Sequence, residues 1–181
     1  MRRSAILVIF SLLLTACSSN LNQPFNQGFI PNCEQIDTSI VSENKLSLKC
    51  LDNSSEINFY SIKGLMVINI WGSWCEACRD EMPYFVDLYK TPIFKSGVIK
   101  LAGIDVEESS VDAAKRFIKA YGMSWPHLVD SDGRSKRLFG PGVPITLFID
   151  DRGEIVDRKI GAYLNKEQLF TQVEKTFGVK L

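Results

Sequence analysis

Two cysteines two residues apart, Cys75 and Cys78, lie in the stretch Trp71-Gly72-Ser73-Trp74-Cys75-Glu76-Ala77-Cys78-Arg79-Asp80-Glu81-Met82-Pro83. A pair at this spacing can cycle between dithiol and disulfide. Cys75 would attack an external disulfide, and Cys78 would resolve the mixed disulfide from the same turn. Three other readings of the pair are weaker. Structural zinc needs four ligands, usually a second such pair or closely spaced histidines, and the only histidine is His127. Covalent haem attachment would need histidine where Arg79 stands. An inert structural disulfide remains open, although a two-residue loop generally leaves such a bond exchange-competent.

The flanking residues say how the pair must be held. Leu65-Met66-Val67-Ile68-Asn69-Ile70 follows Gly64 as a short apolar run, the pattern of a buried strand. After the cysteines, Met82, Phe85, Val86 and Tyr89 recur at helical spacing. The pair therefore falls where a strand hands over to a helix. There, unpaired backbone N–H groups and the positive end of the helix dipole favour a thiolate. Cys75, nearer the terminus and less covered, is the expected nucleophile, and Cys78 the resolving thiol. Anionic Glu76, with Ala77 between the cysteines, should raise the Cys75 pKa and favour the disulfide form, making the dithiol a better reductant.

Further on, Val98 to Asp105 reads as a second buried strand. Ser109-Ser110-Val111-Asp112 opens a helix with a capping-box spacing; its stripe is Val111, Ala114, Ile118 and Tyr121, and Gly122 ends it. His127 is alone and reads as a surface or hydrogen-bonded structural residue. Ile145–Ile149 and Glu154–Ile160 flank the turn Asp150-Asp151-Arg152-Gly153 as an antiparallel pair, and Asn165 caps a final helix bearing Leu169, Val173 and Phe177. Upstream, 46–51 and 57–60 alternate around Asp52-Asn53-Ser54-Ser55 as a hairpin. Strands alternating with helices and closed by a hairpin make an α/β fold with a mixed sheet.

The motif with Pro83 five residues beyond Cys78, and Val143-Pro144-Ile145-Thr146 downstream, resembles the thioredoxin superfamily, and within it the TlpA/ResA-like extracytoplasmic disulfide reductases. The likeness runs from about residue 45 to the C-terminus. It implies a thioredoxin fold, a mixed central sheet flanked by helices, with the hairpin as an N-terminal extension (33–60) of a domain spanning 33–181. It implies that Pro144 is the cis-proline of a loop packed against the dithiol, so that the Val143 backbone pairs with an extended substrate. It also implies that Glu81 is the acid–base group near Cys78; the buried aspartate of cytosolic thioredoxins is matched here by Asn69, which cannot titrate. Trp74 would wall the docking site, with Trp71 buried beneath it. Relatives often have proline at Ala77, and the strongly oxidising ones carry a histidine between the cysteines, which this chain lacks.

At 181 residues the chain suits one domain, and 21 basic against 21 acidic side chains give no electrostatic case for nucleic acid. Arg2, Arg3 and the apolar run Ala5–Leu14 read as a signal peptide (1–16), too short to span a bilayer. Leu14-Thr15-Ala16-Cys17 resembles a bacterial lipobox, which makes Cys17 the lipidated mature N-terminus; ordinary secretion with an unmodified Cys17 is the alternative. Residues 17–32 would be a flexible tether holding the domain roughly 20 Å off the membrane. Cys33 and Cys50 then remain. In an oxidising compartment they are most simply a structural disulfide, whose loop of about 18 residues would stabilise the fold by roughly 3 kcal/mol; a second redox pair is the alternative.

The expectation is a lipid-anchored, extracytoplasmic thiol–disulfide oxidoreductase with no cofactor and no metal, reducing disulfides of exported proteins. The resemblance suggests apocytochrome c before haem attachment as a client and a transmembrane thiol carrier of the CcdA or DsbD type as electron donor. A disulfide oxidase or isomerase built on the same residues, and a client-binding lipoprotein without catalysis, are the competing readings.

Overall fold

The computed structural model describes residues 29–140 and 142–181. The signal peptide, Cys17 and most of the expected tether lie outside them. In chain order the regular elements are β1 (Ser47–Cys50), β2 (Glu56–Asn58), β3 (Met66–Trp71), α1 (Glu76–Tyr89), the single turn α2 (Pro92–Lys95), β4 (Lys100–Val106), α3 (Val111–Tyr121), β5 (His127–Asp130), the single turn α4 (Lys136–Phe139), β6 (Ile145–Ile149), β7 (Ile155–Ile160) and α5 (Lys166–Phe177). No helix among the described residues is long and apolar enough to cross a membrane.

The seven strands form one sheet in the order β2-β1-β5-β4-β3-β6-β7. β3, β4 and β5 are parallel, as their long crossovers through α1 and α3 require. β6 runs antiparallel to β3, and β7 to β6. All six residues of β3 are buried, which explains why its sequence reads as continuous apolar residues rather than as an alternation. One face of the sheet packs against α1, α3 and α5 through Trp71, Phe85, Phe117, Phe148 and Leu169. The other is covered by Ile36, Phe59, Ile62 and Phe139. This is the mixed-sheet thioredoxin fold.

Several expectations change in detail. The N-terminal hairpin pairs as predicted, Ser47 with Asn58 and Lys49 with Glu56, and β1 also pairs with β5, so that the extension continues the main sheet. The second strand stops at Asn58 because that side chain accepts from the Leu46 and Tyr60 N–H groups and turns Phe59–Ser61 into a 3-10 helix. β5 was not predicted, four residues being too few to show a period. On α3 the buried stripe is Ala114, Phe117 and Ile118, with Val111 exposed in the first turn. Ser110 and Asn165 cap their helices as expected, and Gly122 and Gly178 end them in left-handed conformations. The tether ends sooner than residue 32, since Ile30 packs against the core and Pro31 is buried.

A row of paired residues crosses four strands on the face under α1: Thr146, Asn69, Gly103 and His127. The His127 ring lies across β4 toward β3, where its Nδ1 accepts from Trp71 Nε1 at 3.3 Å. Only glycine fits beneath it. A Cβ on Gly103 would run into the His127 ring and stand 2.8 Å from Trp71 Nε1. Gly103→Ala should therefore destabilise the protein by about 1–3 kcal/mol, read as a lower urea midpoint with an unchanged slope.

Candidate active site

α1 begins at the dithiol. Cys75 is its N-cap, with extended backbone (φ −82°, ψ 112°), and Cys75 Sγ accepts the Cys78 backbone N–H at 3.1 Å. The sulfur thus occupies the place where a serine or aspartate oxygen ordinarily caps a helix, aligned with the macrodipole. Cys75 and Cys78 are joined in a disulfide with Cα atoms 5.3 Å apart. Cys78 is fully buried, and Cys75 is 6% exposed. Cys75 is the more accessible of the two, as the spacing suggested, but in this oxidised state far less open than a free thiol nucleophile would be. Glu76 and Ala77 are exposed on the first turn.

Three contacts hold the turn ahead of Cys75. The Cys75 N–H donates to the Gly72 carbonyl at 3.1 Å. The Ser73 N–H and hydroxyl both donate to the Glu108 carboxylate, the hydroxyl at 2.8 Å. Trp74 Nε1 donates to the Val106 carbonyl at 3.2 Å, while its ring stays half exposed beside the disulfide. Trp71 is wholly buried beneath, stacked on Phe117 with centroids 4.9 Å apart. The Val143–Pro144 bond is cis, and the Val143 carbonyl oxygen lies 3.7 Å from Cys75 Sγ. Between Trp74 and this loop runs a groove of about 230 Å³ lined by Trp74, Val106, Phe139, Val143 and Ile145.

Glu81 lies one turn past Cys78 on the same side of α1 and is fully buried. Its Oε1 accepts from Asn69 Nδ2 and its Oε2 from the Tyr163 N–H, both at 2.9 Å. Asn69 and Glu81, which by resemblance are alternative positions for the acid–base group, thus meet at one point. Burial pushes the Glu81 pKa up to about 7, against the opposing pull of the Tyr163 and Asn69 hydrogen bonds and the Lys159 charge. His127 is fully buried, and burial holds its pKa down to about 3. It is neutral and supports Trp71. Pro83, exposed within α1, has no N–H to offer the Arg79 carbonyl.

Cys33 and Cys50 form a second disulfide, both residues buried, with Cα atoms 6.0 Å apart. Cys50 sits on β1, three strands along the sheet from β3, a separation of about 14 Å between those strands. Sequence reasoning missed the Tyr163 N–H, which lies 82 residues from Glu81 and gives no local signal. It also missed Glu108 and Asp105, although a charge ending an apolar strand could have flagged the latter.

Residues 44–158 match the model of the AhpC/TSA family. The thiol–disulfide oxidoreductase ResA of Bacillus anthracis is 28% identical over 165 residues, 91% of this chain and 92% of that protein. ResA of Bacillus subtilis (strain 168) is 34% identical over 106 residues, 58% of each chain. Among solved structures, MTB dsbF in its mixed oxidised and reduced forms superposes with a TM-score of 0.62 at 22% identity, covering 82% of this chain and 99% of the other.

The Glu81 geometry has a consequence for pH. The folded protein keeps the Glu81 proton to about pH 7, whereas the unfolded chain gives it up near 4.5. The Glu81 contribution to stability is therefore full below about pH 4.5, falls as the pH rises toward 7, and is level above. The fall should reach about 3 kcal/mol, and Glu81→Gln, which cannot titrate, should remove it in denaturant titrations across that range.

Proposed function

The chain belongs to the AhpC/TSA family within the thioredoxin superfamily and is a thiol–disulfide oxidoreductase; from that premise we propose that it reduces disulfides in exported proteins at the outer side of a bacterial membrane. The observation that carries this reading is Cys75 Sγ placed as a helix cap, with Cys78 buried one turn behind it.

In the dithiol form the Cys75 thiolate attacks one sulfur of a client disulfide. A Cys75–client bond forms, the client S–S bond breaks, and the departing client thiolate takes a proton. Cys78 then gives its proton to the Glu81 carboxylate and attacks Cys75 Sγ. The Cys75–Cys78 bond forms, and the second client thiolate leaves and is protonated. Two electrons pass to the client for each protein disulfide made. A carboxyl with a pKa near 7, one turn from Cys78, is suited to take that proton at neutral pH and return it. Asn69 and Tyr163 hold it in place. The Val143 main chain would pair with an extended client segment beside Pro144, Trp74 would cover it, and Glu76 and Ala77 would set the redox poise.

The protein must be re-reduced outside the cytoplasm, which calls for a transmembrane thiol carrier of the CcdA or DsbD type. The signal-like residues 1–16 and lipidation at Cys17 would keep it beside that carrier. The name and reach of the ResA relatives support the redox chemistry; apocytochrome c before haem attachment is the client we favour. Cys33–Cys50, buried and remote from the dithiol, would serve as a structural staple.

Cys78→Ser should accumulate mixed disulfides through Cys75 that vanish with dithiothreitol, whereas Cys75→Ser should capture none. The Cys75–Cys78 couple should equilibrate near thioredoxin's potential, about −270 mV. A value near that of the strong oxidants, about −120 mV, would sink the reductase reading in favour of an oxidase.

A further inference from the structure

Tyr163 lies in the loop between β7 and α5 and is buried. Its backbone N–H donates to Glu81 Oε2 at 2.9 Å. At the far end of the same residue, the hydroxyl donates to Gln172 Oε1 at 2.7 Å. Between the two, its ring meets Phe85 of α1 edge-on, with centroids 6.0 Å apart. Gln172 is half-buried on α5, and its Nε2 donates to Asp157 Oδ2 of β7 at 3.0 Å. The same carboxylate also takes the Thr176 hydroxyl at 3.0 Å and the Arg158 N–H. An unbroken line of hydrogen bonds thus runs from Asp157 on the edge strand, through Gln172 and Tyr163, to Glu81 behind the dithiol.

The polarity of this line is set at its outer end. Partial burial raises the Asp157 pKa, but the hydrogen bonds from Gln172, Arg158 and Thr176 and the Lys175 charge outweigh it and hold the group below the ordinary range. An ionised carboxylate only accepts, so the Gln172 amide must turn its NH2 to Asp157 and its oxygen inward, where the phenol must donate. The other ties on the loop are weaker. The Leu164 N–H donates to Gln168 at 3.1 Å and the Leu164 carbonyl accepts from Tyr84 at 3.3 Å, both exposed and open to competition from water. Gly161 is tied to the Pro144 carbonyl, two residues short of Tyr163. The charged group that faces Glu81 is Lys159 of β7, whose Nζ donates to the Ile160 and Gly161 carbonyls; β3 presents the neutral Asn69, and α1 presents Cys78 one turn away.

We propose that Gln172 is a positioning residue for the acid–base group: anchored on Asp157, it grips the Tyr163 hydroxyl and so keeps the Tyr163 N–H on the Glu81 carboxylate. With the grip released, the loop can withdraw that N–H, Glu81 loses one of its two donors, and the carboxyl holds its proton more tightly. The inference rests on the proposed part of Glu81 in resolving the mixed disulfide, but its first test does not.

Gln172→Leu takes the acceptor from the phenol and Tyr163→Phe takes the phenol from the acceptor, while both keep the backbone N–H. In the oxidised full chain, the Glu81 carboxyl carbon followed by NMR should titrate about one pH unit higher in either variant than in wild type. The double variant should match the singles, because all of them break the same line. A Glu81 midpoint that either single variant leaves in place, or that the double variant moves by the sum of the two, would overturn the proposal. Should Gln172→Leu fail to fold, Tyr163→Phe decides alone. The reduced protein mixed with one equivalent of dithiodipyridine should release one pyridinethione on attack by Cys75 and a second when Cys78 closes the protein disulfide, and the pH midpoint of the second release should rise with that of Glu81. A Glu81 midpoint that moves while the second release does not would count against Glu81 as the acceptor of the Cys78 proton, not against the line that positions it.

Discussion

Cys75 does two jobs with one atom. As the N-cap of α1 its sulfur accepts the Cys78 N–H, and as the candidate nucleophile the same sulfur must leave that post to attack. A helix start needs an acceptor for its first free N–H groups. Sulfur is a weaker acceptor than a serine or aspartate oxygen while neutral or oxidised, but a strong one as a thiolate. The helix start is thus served best in the state that does chemistry. The remaining features of the site keep this junction in register: the Gly72–Trp74 turn fastened to the end of β4, the Val143 carbonyl opposite, and Trp71 filling the space below.

The Glu81 carboxylate shows the balance from the other side. A fully buried carboxyl with a nearby cation and two donors would usually stay ionised if those contacts outweighed desolvation. Here desolvation is the larger effect, and the Asn69 and Tyr163 hydrogen bonds only moderate it, so the pKa settles near neutrality rather than far above. Each donor comes from a different part of the fold, Asn69 from β3 and Tyr163 from the loop between β7 and α5. The acid–base group is therefore positioned only when the sheet and the last helix are both in place.

The sequence made the dithiol, its strand and its helix legible, because they are local: an apolar run, a Cys-X-X-Cys and a helical stripe lie within 25 consecutive positions, 65–89. The caps Ser110 and Asn165 and the turn at Gly153 were legible for the same reason. What escaped is what the fold brings together across distance. β5 is four residues long and depends on its neighbours for register. His127 looked like an isolated polar residue because its partner, Trp71, lies 56 positions away. Val111 seemed apolar by spacing yet sits exposed in a first turn, where Phe117, one position before Ile118, took the buried place. Tyr163 contributes a backbone N–H, which any residue could supply.

The distribution of unsatisfied polar atoms says where stability gives way to chemistry. Buried polar groups usually find partners because leaving one unmade costs about 1–3 kcal/mol. Among the described residues, Asn69 Oδ1, Thr146 Oγ1, His127 Nε2, both Asp105 oxygens and, in the loop before β5, Trp125 Nε1 lack them. Thr146, Asn69 and His127 belong to the row that crosses the sheet under α1, and Asp105 stands one step along β4 in the row that includes Trp71. A core selected for stability alone would fill these positions with aliphatic side chains, as the opposite face does with Ile68, Ile70, Ile104 and Leu147. The polar seam is instead confined to the face that meets the dithiol helix, with Glu81 above it and Glu108 at its edge. Such a seam lowers stability where it runs, and its restriction to that face means the loss falls where proton positions can act on Cys75 and Cys78.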